Sequence, residues 1–122
     1  MATTSTDYDN PLLARLQDLV KETDFEFVLE LIDIYLNETP KQIQTIMAAI
    51  NEQNLTSLTI VAHTLKGSSL NLGAKQLGAL CFKLEGLGRS GQPIPAGTNT
   101  KEIETEFELV KTMLLNFKES KP

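Results

Sequence analysis

Apolar residues along this chain recur at spacings of three and four, the signature of helices that bury one face. Leu12, Leu13, Leu16, Leu19 and Val20 form the first such set, opened by Asn10-Pro11, an N-cap residue followed by proline at the first helical position. Thr23-Asp24 opens a second set, in which Phe25, Val28, Leu29, Leu31, Ile32, Tyr35 and Leu36 keep the period to about Asn37 or Glu38. Thr39-Pro40 repeats the cap-then-proline signal and predicts a third helix with Ile43, Ile46, Met47 and Ile50 inward. After Asn51-Glu52-Gln53-Asn54, residues Leu55 to about Leu72 read as a fourth helix ended by Gly73. Ala74 to about Leu87 reads as a fifth, with Leu77, Leu80, Cys81 and Leu84 on its apolar face. Glycine and proline then cluster from Gly86 to Gly97 as one loop, before a last helix from about Asn99 to Lys118 around Ile103, Phe107, Val110, Met113, Leu114 and Phe117. No useful length alternates at period two. The pattern predicts an all-α fold over residues 10–120, five or six amphipathic helices joined mostly by short loops in an antiparallel bundle. Residues 1–9, small, polar and acidic, are expected to form a disordered tail.

Composition narrows what such a bundle can do. The 122 residues, 41% hydrophobic, suit one domain with a packed core. Sixteen acidic against eleven basic side chains give a net charge of −5, which disfavours a nucleic-acid or anionic-membrane binder. No apolar run approaches the roughly 18 residues that span a bilayer, and the N-terminus lacks a signal-peptide pattern. A cytoplasmic protein is therefore expected. One cysteine excludes an internal disulfide, and one histidine without clustered carboxylates predicts no metal site.

That single histidine points away from the core. With Leu65 at the centre of the fourth helix's buried face, Leu58, Val61, Ala62, Ser69 and Leu72 fall within about 60° of it, and His63 about 160° away. Thr59, Ile60, Lys66, Gly67 and Leu70 share the outward half. Lys66 and Gly67 stand three and four residues on, where neighbouring turns meet. A mid-helix glycine costs about 1 kcal/mol relative to alanine, so Gly67 suggests that something approaches the backbone there. Ile60 and Leu70 add apolar area around the polar centre, as in a protein-docking patch. Imidazole is largely neutral at pH 7 and so nucleophilic, and a neighbouring ammonium can neutralise a phosphoryl group. No G-x-x-x-x-G-K-[ST] loop is present, so the features fit a phosphoryl carrier better than a kinase. On the fifth helix Gly78, Phe82, Glu85 and Arg89 form a stripe beside the buried face. Glu85 and Arg89 are also an i,i+4 pair, which alone is an ordinary surface ion pair.

The segment Ala62-His63-Thr64-Leu65-Lys66-Gly67-Ser68-Ser69, with Asn71-Leu72-Gly73-Ala74, Leu77, Leu80-Cys81, Leu84-Glu85 and Gly88-Arg89, closely resembles the histidine-containing phosphotransfer (HPt) domain. The match covers about 28 residues, a quarter of the chain, and the helical layout on either side fits it. The resemblance implies an antiparallel four-helix bundle with one or two additional N-terminal helices, which relays phosphoryl groups between receiver-domain aspartates through one exposed histidine. It makes His63 the phosphorylated residue, with Lys66 holding phosphoryl oxygens, Gly67 keeping the surface open and Glu85 orienting the second ring nitrogen, and it leaves Arg89 as supporting charge. Thr59, Ile60, Leu70 and Phe82 would meet the receiver. Leu70 departs from the small residue many family members carry. The implied partners are response-regulator receivers and a hybrid sensor histidine kinase, with Mg²⁺ supplied by the receiver, no cofactor of its own and a monomeric state.

Three alternatives remain open. A non-catalytic helical adaptor would bind receivers or kinases with an incidental histidine. The phosphorylated domain of a chemotaxis-type kinase would need an ATPase domain beyond Pro122. A hydrolase using Ser68 or Ser69 lacks an oxyanion loop. The Met1 start favours a stand-alone protein over a piece of a hybrid kinase.

Overall fold

The computed structural model describes residues 10–120; the tail expected at residues 1–9 lies outside them. Five helices follow one another: α1 Pro11–Glu22, α2 Phe25–Asn51, α3 Leu55–Asn71, α4 Lys75–Arg89 and α5 Lys101–Glu119. Helices α2 to α5 make the four-helix bundle, and among the described residues α1 is the one additional helix. The caps are the polar residues expected. Asn10 accepts from the Leu12 N–H, Asp24 from Phe27 and Asn54 from Ser57, each satisfying a backbone donor that its helix leaves open.

The largest departure from the sequence reading is α2. Thr39-Pro40 does not divide it: the helix runs unbroken for 27 residues with Pro40 inside. Tyr35, Thr39, Ile43 and Ile46 are all buried, so the apolar face continues in register across the proline. Pro40 itself is exposed, and the backbone bond it deletes is outweighed by burial on both sides. A smaller correction concerns the glycine-rich loop. Gly86 and Gly88 lie inside α4, which extends to Arg89.

The core joins Leu16 of α1, Val28, Ile32 and Ile46 of α2, Leu58 and Leu65 of α3, Leu77 and Cys81 of α4 and Leu114 of α5, all fully buried. Two polar links fix the elements that carry the site. The Tyr35 hydroxyl and Ser69 Oγ are 2.7 Å apart in the interior, tying α2 to α3. Gly73, at φ +88°, turns the chain after α3, and a Cβ there would come within 2.8 Å of the Leu12 Cα and the Pro11 carbonyl. Arg15 Nε donates to the Asn71 carbonyl at 2.9 Å, so α1 braces the C-terminal end of α3. At the other end Gln53 clamps the loop, accepting from the Ile94 N–H at 2.8 Å and donating to the Ile94 carbonyl at 3.2 Å.

Candidate functional site

The helical arithmetic for α3 holds. Leu58, Ala62, Leu65 and Ser69 are buried, while His63 has a side chain 60% exposed. What arithmetic on one helix cannot give is the partner across the seam with α4. Glu85 supplies it: a carboxylate whose side chain is only 5% exposed, with three basic groups around it. His63 Nδ1 is 2.9 Å from Oε2. Arg89, one turn on along α4, donates to the same oxygen from Nε at 3.0 Å and Nη2 at 2.7 Å. The Lys66 ammonium approaches Oε1 at 2.7 Å as an ion pair, off the line of a well-formed hydrogen bond.

A carboxylate taken out of water is ordinarily harder to ionise. Here the Lys66 ammonium and the Arg89 guanidinium prevail over burial and pull the Glu85 pKa down to about 2. The consequence for the histidine is chemical. An ionised carboxylate only accepts hydrogen bonds, so the proton of a neutral His63 ring sits on Nδ1 and points at Glu85. Nε2 is left with its lone pair on the open side of an exposed ring. The contact with Glu85 thus fixes the tautomer of the neutral ring and leaves Nε2 open to attack an electrophile.

The other residues expected at the site fall around this pair. Glu85 makes both contacts, to the imidazole and to Arg89, but as a buried carboxylate and not as a surface ion pair. Lys66 does not reach freely into solvent. Its side chain is 21% exposed, and its ammonium lies 5.2 Å from the centre of the Phe82 ring as well as against Glu85. Around Gly67 there is open space, with nothing within 4 Å of where a Cβ would stand. This chain would tolerate alanine there, so nothing inside the molecule calls for glycine. Ile60, Leu70 and Phe82 are exposed apolar residues, Phe82 against Lys66 and Leu70 over Gly78. Thr59 is half-buried, its hydroxyl bonded to the Leu55 carbonyl at 2.8 Å and turned against Gly88 on α4. Ser69 is taken by Tyr35, and Ser68 donates to the Leu65 carbonyl at 3.2 Å, so neither hydroxyl is set up beside the ring as a nucleophile. Among the described residues no group of three or more His, Cys, Asp or Glu gathers as a metal site.

Sequence reading missed two contacts. Leu70 packs over Gly78, and Thr59 packs against Gly88. Both glycines were visible, but the opposing residue depends on the register of two antiparallel helices, which no single-helix pattern contains.

Comparison with known proteins bears on the family and the fold. Residues 30–113 match the model of the Hpt domain family. Over 120 residues the chain is 24% identical to the phosphorelay intermediate protein rdeA of Dictyostelium discoideum; the match covers 94% of this chain, which spans about half (47%) of that relative. The crystal structure of histidine-containing phosphotransfer protein B (HptB) from Pseudomonas aeruginosa PAO1 superposes with a TM-score of 0.78 at 25% identity, covering 89% of this chain and 94% of that one.

Proposed function

The chain belongs to the Hpt domain family, and from that premise we propose that it carries a phosphoryl group on His63 Nε2 within a two-component phosphorelay. The observation that carries this reading is the exposed ring whose Nδ1 is held by an ionised, buried carboxylate. A phosphorylated receiver domain docks over the imidazole, with Ile60, Leu70 and Phe82 meeting its apolar surface and the bare Gly67 backbone letting it come close. Nε2 attacks phosphorus in line, the bond from phosphorus to the aspartate oxygen breaks, and the aspartate leaves as a carboxylate. Glu85 faces the positive charge that develops on the ring. Lys66 and Arg89 stand on Glu85 before transfer, so the phosphoryl oxygens compete with that carboxylate for them.

In this reading the protein is a carrier. It supplies a nucleophile and its position, while the receiver supplies Mg²⁺ and most of the charge stabilisation. The donor is a hybrid sensor kinase acting through its receiver, and the acceptor is a second response regulator in the cytoplasm. A monomer is sufficient for this exchange. Incubation of the protein with a purified phospho-receiver should place an acid-labile, base-stable phosphate on the chain, and His63→Gln should abolish it. Transfer to His63→Gln at the wild-type rate would remove the proposal. Receiver binding with no phosphate ever appearing on the chain would identify an adaptor.

A further inference from the structure

Helices α3 and α4 run antiparallel, and the residues that face each other across their seam form a ladder. Thr59 stands against Gly88, His63 against Glu85, Lys66 over Phe82 and Leu70 over Gly78. Each step of three or four residues along α3 is matched by a step of three or four residues back along α4. The reacting pair and the lysine layer are thus flanked by a glycine layer on either side, and the two glycines are not equivalent.

At Gly78 an added Cβ would meet only the far end of the Leu70 side chain, 2.5 Å from Cδ2 and 2.8 Å from Cγ. Leu70 is exposed and can turn aside. At Gly88 an added Cβ would overlap Thr59 Oγ1 and lie 2.9 Å from the Thr59 backbone nitrogen and 3.0 Å from the Leu55 carbonyl oxygen. Backbone cannot turn aside, and the Thr59 hydroxyl is already bonded to that carbonyl. Carbon contacts settle near 3.5–4.0 Å, so a methyl group at Gly88 pushes the helices apart by several tenths of an ångström or more.

We infer that Gly88 is a positioning residue, the missing side chain at which α3 and α4 close far enough for Glu85 to reach His63. The Gly88 layer lies one turn from that pair on both helices. Separation there lengthens the 2.9 Å bond between His63 Nδ1 and Glu85, while Arg89, which shares α4 with Glu85, keeps its contact. Glycine at this position therefore sets the tautomer of the imidazole, whatever else it does for stability. The link to transfer rests on His63 being the phosphorylated residue.

The test compares Gly88→Ala with Gly78→Ala in the full chain, using ring ¹⁵N shifts of His63 at pH 7 and the rate of transfer from a phospho-receiver. Gly88→Ala is expected to move the ring towards a mixture with the proton on Nε2 and to slow transfer about 10-fold or more. Gly78→Ala, which moves only Leu70, should leave the ring shifts at their wild-type values, and melting curves report whether each variant is folded. Should Gly88→Ala alone fail to fold, Gly88→Ala with Thr59→Ala, which relieves the hydroxyl overlap, should show the same ring shift. Wild-type ring shifts in a folded Gly88→Ala protein overturn the inference, as does a shifted ring with unchanged transfer. Persistence of transfer in His63→Gln is a separate failure, that of His63 as carrier.

Discussion

At the scale of single residues, the arrangement turns on a carboxylate that should be uncomfortable. Glu85 is buried, yet with Lys66, Arg89 and His63 arrayed on it the group ionises far below the ordinary range, at about 2 against 4.5. Folding and titration are then linked. The folded pKa is depressed, so the stabilisation is present above about pH 4.5 and is lost as pH falls towards 2. Urea unfolding midpoints should therefore decline over that window, and Glu85→Gln should flatten the decline. An unchanged acid limb in the variant would assign the loss to other carboxylates. Removing the carboxyl by Glu85→Ala is the harsher change, because it strands Lys66 in a seam where it has little access to water. The sequence disclosed the outward histidine, the lysine and the glycine beside it, since those follow from 100° per residue along one helix. It disclosed Glu85 only as a choice between a surface ion pair and a histidine partner. Two cations converging on one buried oxygen pair is a fact of the α3–α4 crossing, and the pattern of neither helix holds it.

At the scale of elements, Pro40 shows how local signals lose to packing. A cap-like threonine followed by proline ordinarily opens a helix, and read locally it predicts a break between Glu38 and Pro40. The face formed by Tyr35, Thr39, Ile43 and Ile46 continues through it, so keeping one long helix buries all four, whereas a break would expose some of them. The proline still costs something, because the Leu36 carbonyl loses its N–H partner. Pro40→Ala restores that donor at an exposed position. Proline in a helix interior is worse than alanine by about 3 kcal/mol, against about 0.4–1 kcal/mol that it gains by restricting the unfolded chain. The variant should therefore be more stable by about 2 kcal/mol in urea unfolding, with phosphotransfer unchanged because Pro40 lies outside the α3–α4 seam. A destabilised Pro40→Ala protein would mean that the proline sets a bend on which the bundle depends. The remaining helix boundaries were legible within a residue or two, since Asn10, Asp24, Asn54 and Gly73 are local signals that packing did not override.

At the scale of the whole molecule, acid and alkali threaten the fold at different places. The acid limb belongs to the functional seam, through Glu85. The alkaline limb belongs to the core beneath it, through Tyr35 and Cys81. Burial pushes the Tyr35 phenol up from 10.0 to about 12, despite the bond to Ser69, and pushes the Cys81 thiol from 9.0 to about 12. Both are acids kept neutral inside, so their folded pKa values lie above the unfolded ones. Their contribution is complete below about pH 9 and is lost as pH rises through 10 towards 12. For Tyr35 alone a shift of that size corresponds to roughly 2–3 kcal/mol, fully lost only near its folded pKa. The net charge of −5 grows more negative along the same path and adds self-repulsion. Stability should thus be flat from about pH 5 to 9 and fall on either side. Tyr35→Phe removes one of the two alkaline groups, leaves the Ser69 hydroxyl without its partner, and so should be less stable at pH 7 by about 1–3 kcal/mol. Its unfolding midpoint should nevertheless fall less steeply than wild type between pH 10 and 12. Parallel curves for the two proteins across that range would show that the phenol plays no part in the alkaline limb, and that Cys81 with the accumulating negative charge accounts for it.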